Sequence, residues 1–241
     1  MKLDAAWIRR QFPGREVHWF DSIASTMTEA ARLAAAGCPD GTVVGAEEQT
    51  AGIGRHGHAW HSEPGNGLYV SIVLRRSLPI PTVTLAIGVA ARAAIAETTE
   101  VDCDLRWPND LLVGPRKCTG ILVNFESDAA IAGIGINVNH DSFPDDIAPL
   151  ATSLRLASGR IHAREPLLAA LLRAVDQWSR QAPPAILAEF SRWSSYVRGR
   201  RVSVDGQATG VTAGLDPQGF LLLHCDNGQT VRILAGGVRP L

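Results

Sequence analysis

Arg106-Trp-Pro-Asn-Asp-Leu-Leu-Val-Gly-Pro-Arg-Lys-Cys-Thr-Gly-Ile-Leu-Val123 is the stretch on which the reading of this chain turns. Its first five residues follow a strand expected over 101–107, and Arg116-Lys117 leads into another expected over 119–124. Polar side chains therefore gather at two adjacent strand ends, where clefts form. Asn109 and Asp110 offer oxygens of the kind Mg²⁺ accepts, and Lys117 offers a compact cation for phosphate or carboxylate oxygens. Taken alone, Trp107-Pro-Asn-Asp110 is more simply a turn, so the neighbouring segments decide.

Outward from it, residues 130–138 and 67–74 (GLYVSIVL) read as strands, as do 15–20 and the β-branched 42–46. Helical spacing marks 25–36, opened by a capping box at Thr26-Met-Thr-Glu29 and closed by Gly37. The Ala-rich 81–98 is a second helix, and two more are expected over 165–181 and 185–196, divided by Pro183-Pro184. The fold class is α/β (α+β), a mixed sheet with helices on one face. Beyond Arg201 the pattern changes to short β runs broken at Asp205-Gly206, Asp216-Pro-Gln-Gly219 and Asp226-Asn-Gly228. These are the marks of a small β-barrel of about four or five strands. The chain is accordingly divided into 1–196 and 197–241.

Gly52-Ile-Gly-Arg-His-Gly57 fits the spacing of a dinucleotide fingerprint, but its context does not. That motif follows a strand directly and opens a helix. Here polar Glu47-Glu-Gln-Thr50 precedes it, and Glu63-Pro-Gly-Asn-Gly67 lies beyond it. What remains is a loop whose glycines let backbone amides approach an anion, with Arg55 adding a charged donor. An isolated loop of this kind is equally a surface connection.

Bulk properties narrow the class. Of 241 residues 46% are hydrophobic and 20% charged, with a net charge of −1, so no strong field attracts nucleic acid or a membrane surface. The N-terminus has no signal-peptide pattern. The apolar run 84–96 is too short to cross a bilayer and contains Arg92. Cys38, Cys103, Cys118 and Cys225 are far apart, which suits reduced thiols in the cytoplasm. His56, His58 and His61 form an H-x-H-x-x-H run without a clear fourth ligand and are not read as a zinc site.

Four ordered segments then carry a family resemblance. They are Ser25-Thr-Met27, Gln49-Thr-Ala-Gly-Ile-Gly-Arg-His-Gly57, Trp107-Pro-Asn-Asp-Leu111 with Arg116-Lys-Cys-Thr-Gly-Ile-Leu122, and Gly133-Ile-Gly-Ile-Asn137. In order and spacing they resemble the biotin–protein ligases, in a short form with too few residues before Arg15 for a DNA-binding domain, so no repressor activity is expected. The match departs from the family pattern at Met27, Ile53, His58 and Arg106.

The resemblance implies a class II synthetase-like ligase domain followed by an SH3-like barrel. It implies activation of biotin with ATP and Mg²⁺ to biotinyl-5′-AMP, then transfer to a lysine of a carboxylase's biotin carboxyl carrier domain. Arg55, Lys117 and Asp110 become the expected catalytic residues, with Asp110 as the Mg²⁺ ligand. Ser25, Thr26, Met27, Gln49, Ile53, Gly54 and Gly120 would join Arg55 and Lys117 around biotin. His58, Trp60, Asn109 and Asn137 would meet the nucleotide with Arg55 and Lys117. Pairing of sheet edges leaves a homodimer open. A lipoate–protein ligase and a non-catalytic biotin sensor are the alternatives.

Overall fold

The strand Gly67–Leu74 is buried along its whole length, so its sheet has to be covered on both faces. The computed structural model describes residues 2–75, 79–126, 128–205 and 208–241. In chain order they form α1 (Ala5–Gln11), β1 (Val17–Phe20), α2 (Thr26–Ala35), β2 (Val43–Ala46), a 3-10 turn (Arg55–Gly57), β3 (Gly67–Leu74), α3 (Ile80–Thr99), β4 (Asp104–Arg106), β5 (Asp110–Val113), β6 (Arg116–Glu126) and β7 (Ala129–Asn137). Then follow α4 (Leu154–Ser158), α5 (Arg164–Trp178), α6 (Pro183–Arg192), β8 (Arg198–Val204), β9 (Ala208–Leu215), β10 (Leu221–Cys225), β11 (Thr230–Ile233) and β12 (Val238–Pro240).

Seven strands make one mixed sheet, in the order β1-β2-β3-β7-β6-β5-β4. Only β1 and β2 run parallel. Side-chain alternation sorts its residues onto two faces. Leu68, Val70 and Ile72 of β3 and Ala132, Ile134 and Ile136 of β7 join the main core with residues of α3 and α5. Val73 and Ile131, on the other face, pack with Met27, Ala30 and Ala34 of α2. The expectation of helices on one face is therefore corrected: α2 covers part of the second face, and the site is built beside it.

Helix α3 is twenty residues long and apolar enough to cross a bilayer, longer than its central apolar run suggested. Most of it is nonetheless buried, packed against the sheet, α5 and α6, which is how a core helix behaves. Its Arg92 keeps its charge satisfied there by pairing with the Asp102 carboxylate, donating to the Cys103 carbonyl at 3.0 Å and lying over the Trp193 ring.

Element ends follow local chemistry. Asp4 caps α1 by accepting from Trp7 N at 2.9 Å, and Ser153 caps α4 by accepting from Leu156 N at 3.0 Å; neither short helix has enough apolar periodicity to stand out in sequence. The expected capping box does not form. Ser25 is the N-cap residue of α2, Glu29 pairs with Arg32, and Thr26 turns its hydroxyl toward the sheet. Pro183 and Pro184 occupy the first turn of α6, where the missing N–H groups have no intrahelical partner to lose. The strand expected over 101–107 shortens to β4, and β5, of which the sequence reading considers only Asp110, as the end of a turn, pairs with it through Arg106↔Asp110 and Leu105↔Leu111. The Trp107–Pro108 peptide in that hairpin is cis.

Strands β8 to β12 form a five-stranded antiparallel sheet in the order β11-β10-β9-β8-β12. Among the described residues β11 and β12 stay unpaired with each other, so the expected barrel is corrected to an open sheet. The Asp205-Gly206 turn lies partly outside the described residues. Val202, Leu221 and Val238 continue the main core, and Trp107 Nε1 donates to the Gly219 carbonyl at 2.9 Å. The C-terminal sheet is thus fastened to the Trp-Pro-Asn-Asp turn.

Candidate active site

Three glycines shape the floor of a cleft on the α2 side of the sheet. A Cβ on Gly135 would lie 2.4 Å from the Trp60 indole, one on Gly120 2.7 Å from the same ring, and one on Gly133 2.5 Å from Met27 Sδ. Side chains at these positions on β6 and β7 would fill the trough in which Trp60 lies. Around it, Thr26, Met27, Gln49, Ile53, Gly54, Arg55, Asn109, Lys117 and Leu122 complete a narrow cleft, part of it open to solvent. Its mixed lining suits a small molecule with an apolar body and a few polar contacts.

The glycine loop closes one side. Gly54 N donates to the His58 carbonyl at 2.7 Å and Trp60 N to the Gly52 carbonyl at 2.9 Å, so the loop folds back on itself instead of opening a helix. His56 takes a left-handed conformation at its tip (φ 57°). This hairpin carries Arg55 inward, where its Nη1 donates to Asn109 Oδ1 at 2.9 Å and reaches the Gly236 carbonyl at 3.5 Å. Burial draws the Arg55 pKa below its ordinary value, while Asp110 and Asp205 oppose that shift.

Across the cleft, Lys117 Nζ lies 2.6 Å from Asp110 Oδ1 and 5.4 Å from the centre of the Trp60 ring. Arg106 donates to the other carboxylate oxygen, Oδ2, at 2.6 Å. Burial works to raise the Asp110 pKa, but the two cations outweigh it and leave the carboxyl below its usual range. With a cation on each oxygen, Asp110 does not fit the expected role of Mg²⁺ ligand; it holds Lys117 and Arg106 instead. At the opposite end, Gln49 Oε1 accepts from Thr26 N (2.9 Å) and Thr26 Oγ1 (3.0 Å). Ser71 Oγ sits 2.8 Å from that hydroxyl, and Gln49 Nε2 donates to Ser62 at 3.3 Å. The cleft thus has a neutral hydrogen-bonding end and a cationic end.

Ten residues expected at the site from sequence line this cleft: Thr26, Met27, Gln49, Ile53, Gly54, Arg55, Trp60, Asn109, Lys117 and Gly120. Four others do not. Ser25 is buried at the start of α2, His58 is exposed on the loop, Asp110 faces its two cations, and Asn137 donates to the Thr152 carbonyl at 3.0 Å. The segment that Asn137 holds pairs with Lys117 through Ala151. The sequence reading missed Ser71, Leu122, Gly133 and Gly135, although the alternate glycines of Gly-Ile-Gly-Ile-Asn were the available signal.

Because the Gly135 Cβ position is occupied by the indole, Gly135→Ala should displace Trp60 and destabilise the fold by about 1–3 kcal/mol, the usual range for overpacking. Chemical denaturation checks the stability and near-ultraviolet circular dichroism the ring. Unchanged values for both would mean the indole is not seated on this glycine.

Comparison with known proteins gives a consistent pattern. Residues 19–141 match the Biotin/lipoate A/B protein ligase family, and residues 197–238 match the Biotin protein ligase C terminal domain. The chain is 34% identical to the bifunctional ligase/repressor BirA of Bacillus spizizenii, over 92% of this chain and 73% of that protein. It is also 34% identical to the biotin–[acetyl-CoA-carboxylase] ligase of Mycobacterium tuberculosis, over 98% of this chain and 95% of that one. Among solved structures, the biotin protein ligase from Aquifex aeolicus in complex with biotin and ATP superposes with a TM-score of 0.84 at 28% identity, covering 94% of this chain and 99% of that one.

Proposed function

The chain belongs to the biotin/lipoate A/B protein ligase family, and from its site we infer a biotin–protein ligase that forms biotinyl-5′-AMP from biotin and ATP and transfers biotin to a carrier lysine. The observation that carries this reading is the two-ended cleft. An apolar trough over Gly120, Gly133 and Gly135 joins the Thr26–Gln49 pair to the Arg55 and Lys117 cations.

In the first step a biotin carboxylate oxygen forms a bond to the α-phosphorus of ATP as the bond to pyrophosphate breaks. Both reactants are anions, so the barrier is set by bringing like charges together and by charge accumulating on phosphate oxygens. Lys117 supplies a cation to the carboxylate and α-phosphate, with its direction fixed by Asp110. Arg55 supplies a second cation from the loop, and Trp60 an aromatic face for adenine. Thr26, Gln49 and Ser71 offer hydrogen bonds to the ureido end of biotin, and Met27, Ile53 and Leu122 pack its apolar body. No protein ligand is assigned to Mg²⁺; the metal enters as the counter-ion of ATP. In the second step a carrier lysine amine attacks the acyl carbon, AMP leaves with the phosphate oxygen, and the amine loses its proton. The glycine loop shields the mixed anhydride from water between the steps.

The contact of Arg55 with Gly236 supports a part for the C-terminal unit, residues 197–241, in holding the loop. The partner is the biotin carboxyl carrier domain of a carboxylase. The net charge of −1 supports a reading without nucleic acid or membrane as partners. Four free cysteines and the use of ATP support a cytoplasmic setting. The family also contains lipoate ligases; the matched C-terminal domain and the named relatives favour biotin. Transfer of labelled biotin to a carrier domain, with lipoate run in parallel, tests the assignment.

A further inference from the structure

We propose that His61, Glu63 and His140 form a binding site for one divalent transition metal ion of the zinc type, fastening the end of the glycine loop to the end of β7. The ligand atoms of the three side chains lie within 4.8 Å of one another. Two imidazoles and a carboxylate are a donor set that zinc takes at about 2.0–2.2 Å, leaving a fourth position for water. The sequence run His56, His58, His61 pointed to the wrong partners: of its members only His61 joins this cluster, and the second imidazole comes from the segment after β7.

His140 is the key residue. It is fully buried, and its Nδ1 has no hydrogen-bond partner among the described residues. Tyr69 Oη donates its single proton to the Glu63 carbonyl at 3.1 Å. The 3.3 Å contact between Tyr69 Oη and His140 Nε2 is then satisfied with the imidazole as donor, which leaves Nδ1 the unprotonated nitrogen. An imidazole with one N–H fixed by a hydrogen bond and a bare lone pair on its other nitrogen is prepared as metal-bound histidines are. A buried nitrogen left without a partner costs stability, and a metal bond would remove that cost.

The other two ligands can close on it. Among the described residues the side chains of His61 and Glu63 make no hydrogen bond or ion pair, and both retain solvent exposure. The His61 and Phe143 rings pack against His140, with centroids 5.9 and 5.1 Å away, and give the site an aromatic wall. His61 lies between Trp60, seated in the cleft trough, and Ser62, which accepts from Gln49. A metal here would therefore fix the point at which the loop rejoins the body.

The experiment is calorimetric titration of the metal-stripped full chain with Zn²⁺, without biotin or ATP, so its outcome is independent of the ligase reading. One Zn²⁺ should bind per chain. Affinity should fall at least tenfold in His61→Ala and in Glu63→Gln, and stay unchanged in the double variant His56→Ala, His58→Ala. Absence of saturable binding to the wild-type chain would overturn the site. So would binding that persists in both His61→Ala and Glu63→Gln, or that disappears with His56 and His58.

Discussion

Replacing Lys117 with alanine is expected to lower biotin-dependent ATP–pyrophosphate exchange by about 10³-fold, the scale seen when one fixed stabiliser of developing charge is removed. The loss should fall mainly on kcat. Lys117 stands over the trough beside Trp60, its ammonium held 2.6 Å from Asp110, so the protein has already met the cost of orienting it. Biotin retains its apolar contacts and the Thr26–Gln49 end in the variant, so binding should weaken far less than turnover. Asp110 would still be paired with Arg106, which keeps a buried charge from being stranded and the fold intact. A variant that folds normally and retains more than a tenth of wild-type exchange would remove Lys117 from the proposed chemistry.

The second large effect concerns stability. Arg164, opening α5, and Glu47, just after β2, form an ion pair at 2.8 Å with both side chains about 95% buried (4% and 5% exposed). Every strong contact of Glu47 is internal: Oε1 accepts from Leu3 N at 2.9 Å and from Trp19 Nε1 at 3.0 Å. Arg164 also donates to the Gly67 carbonyl at 3.0 Å, tying α5 to the start of β3. Removing one partner strands the other charge in the interior, so Arg164→Met should cost about 3–5 kcal/mol in urea denaturation. Adding Glu47→Leu should recover part of that loss, because the desolvated carboxylate goes with it, although Leu3 N and Trp19 Nε1 then lack an acceptor. A double variant less stable than Arg164→Met alone would show that the stranded charge is not the cause.

The sequence was most legible where chemistry is local. The strands expected at 67–74 and 130–138, the Ala-rich α3 and the turns at Asp216–Gly219 and Asp226–Gly228 survive in the structure with small shifts at their ends. Lys117 and Arg55 could be singled out because polar groups at strand ends and in a glycine loop are unusual in sequence, whereas Gln49 and Thr26 were expected at the site only through the family resemblance. Less was legible where the information is carried by register. That Gly120 and Gly135 are directly paired across β6 and β7, and so open one trough, follows only from strand pairing. Arg106 and Asp110 face each other because β4 and β5 form a hairpin, and this converts an apparent Mg²⁺ ligand into an ion-pair partner. The placement of α2 on the second face depends on which side of β3 is left uncovered by α3 and α5, a tertiary matter. His140 could not be joined to His61 from sequence, since 79 positions separate them (140 − 61) and only the sheet brings their segments together.

Incubating the purified full chain with labelled biotin, Mg-ATP and a carboxylase biotin carboxyl carrier domain, and locating the label by mass spectrometry, decides whether the chain is a biotin–protein ligase. ATP-dependent attachment of one biotin to a single carrier lysine is expected, with lipoate failing to replace biotin. Measurable biotin binding with neither transfer nor biotin-dependent pyrophosphate exchange would contradict it and leave a binding protein; attachment of lipoate in preference to biotin would contradict the choice of substrate.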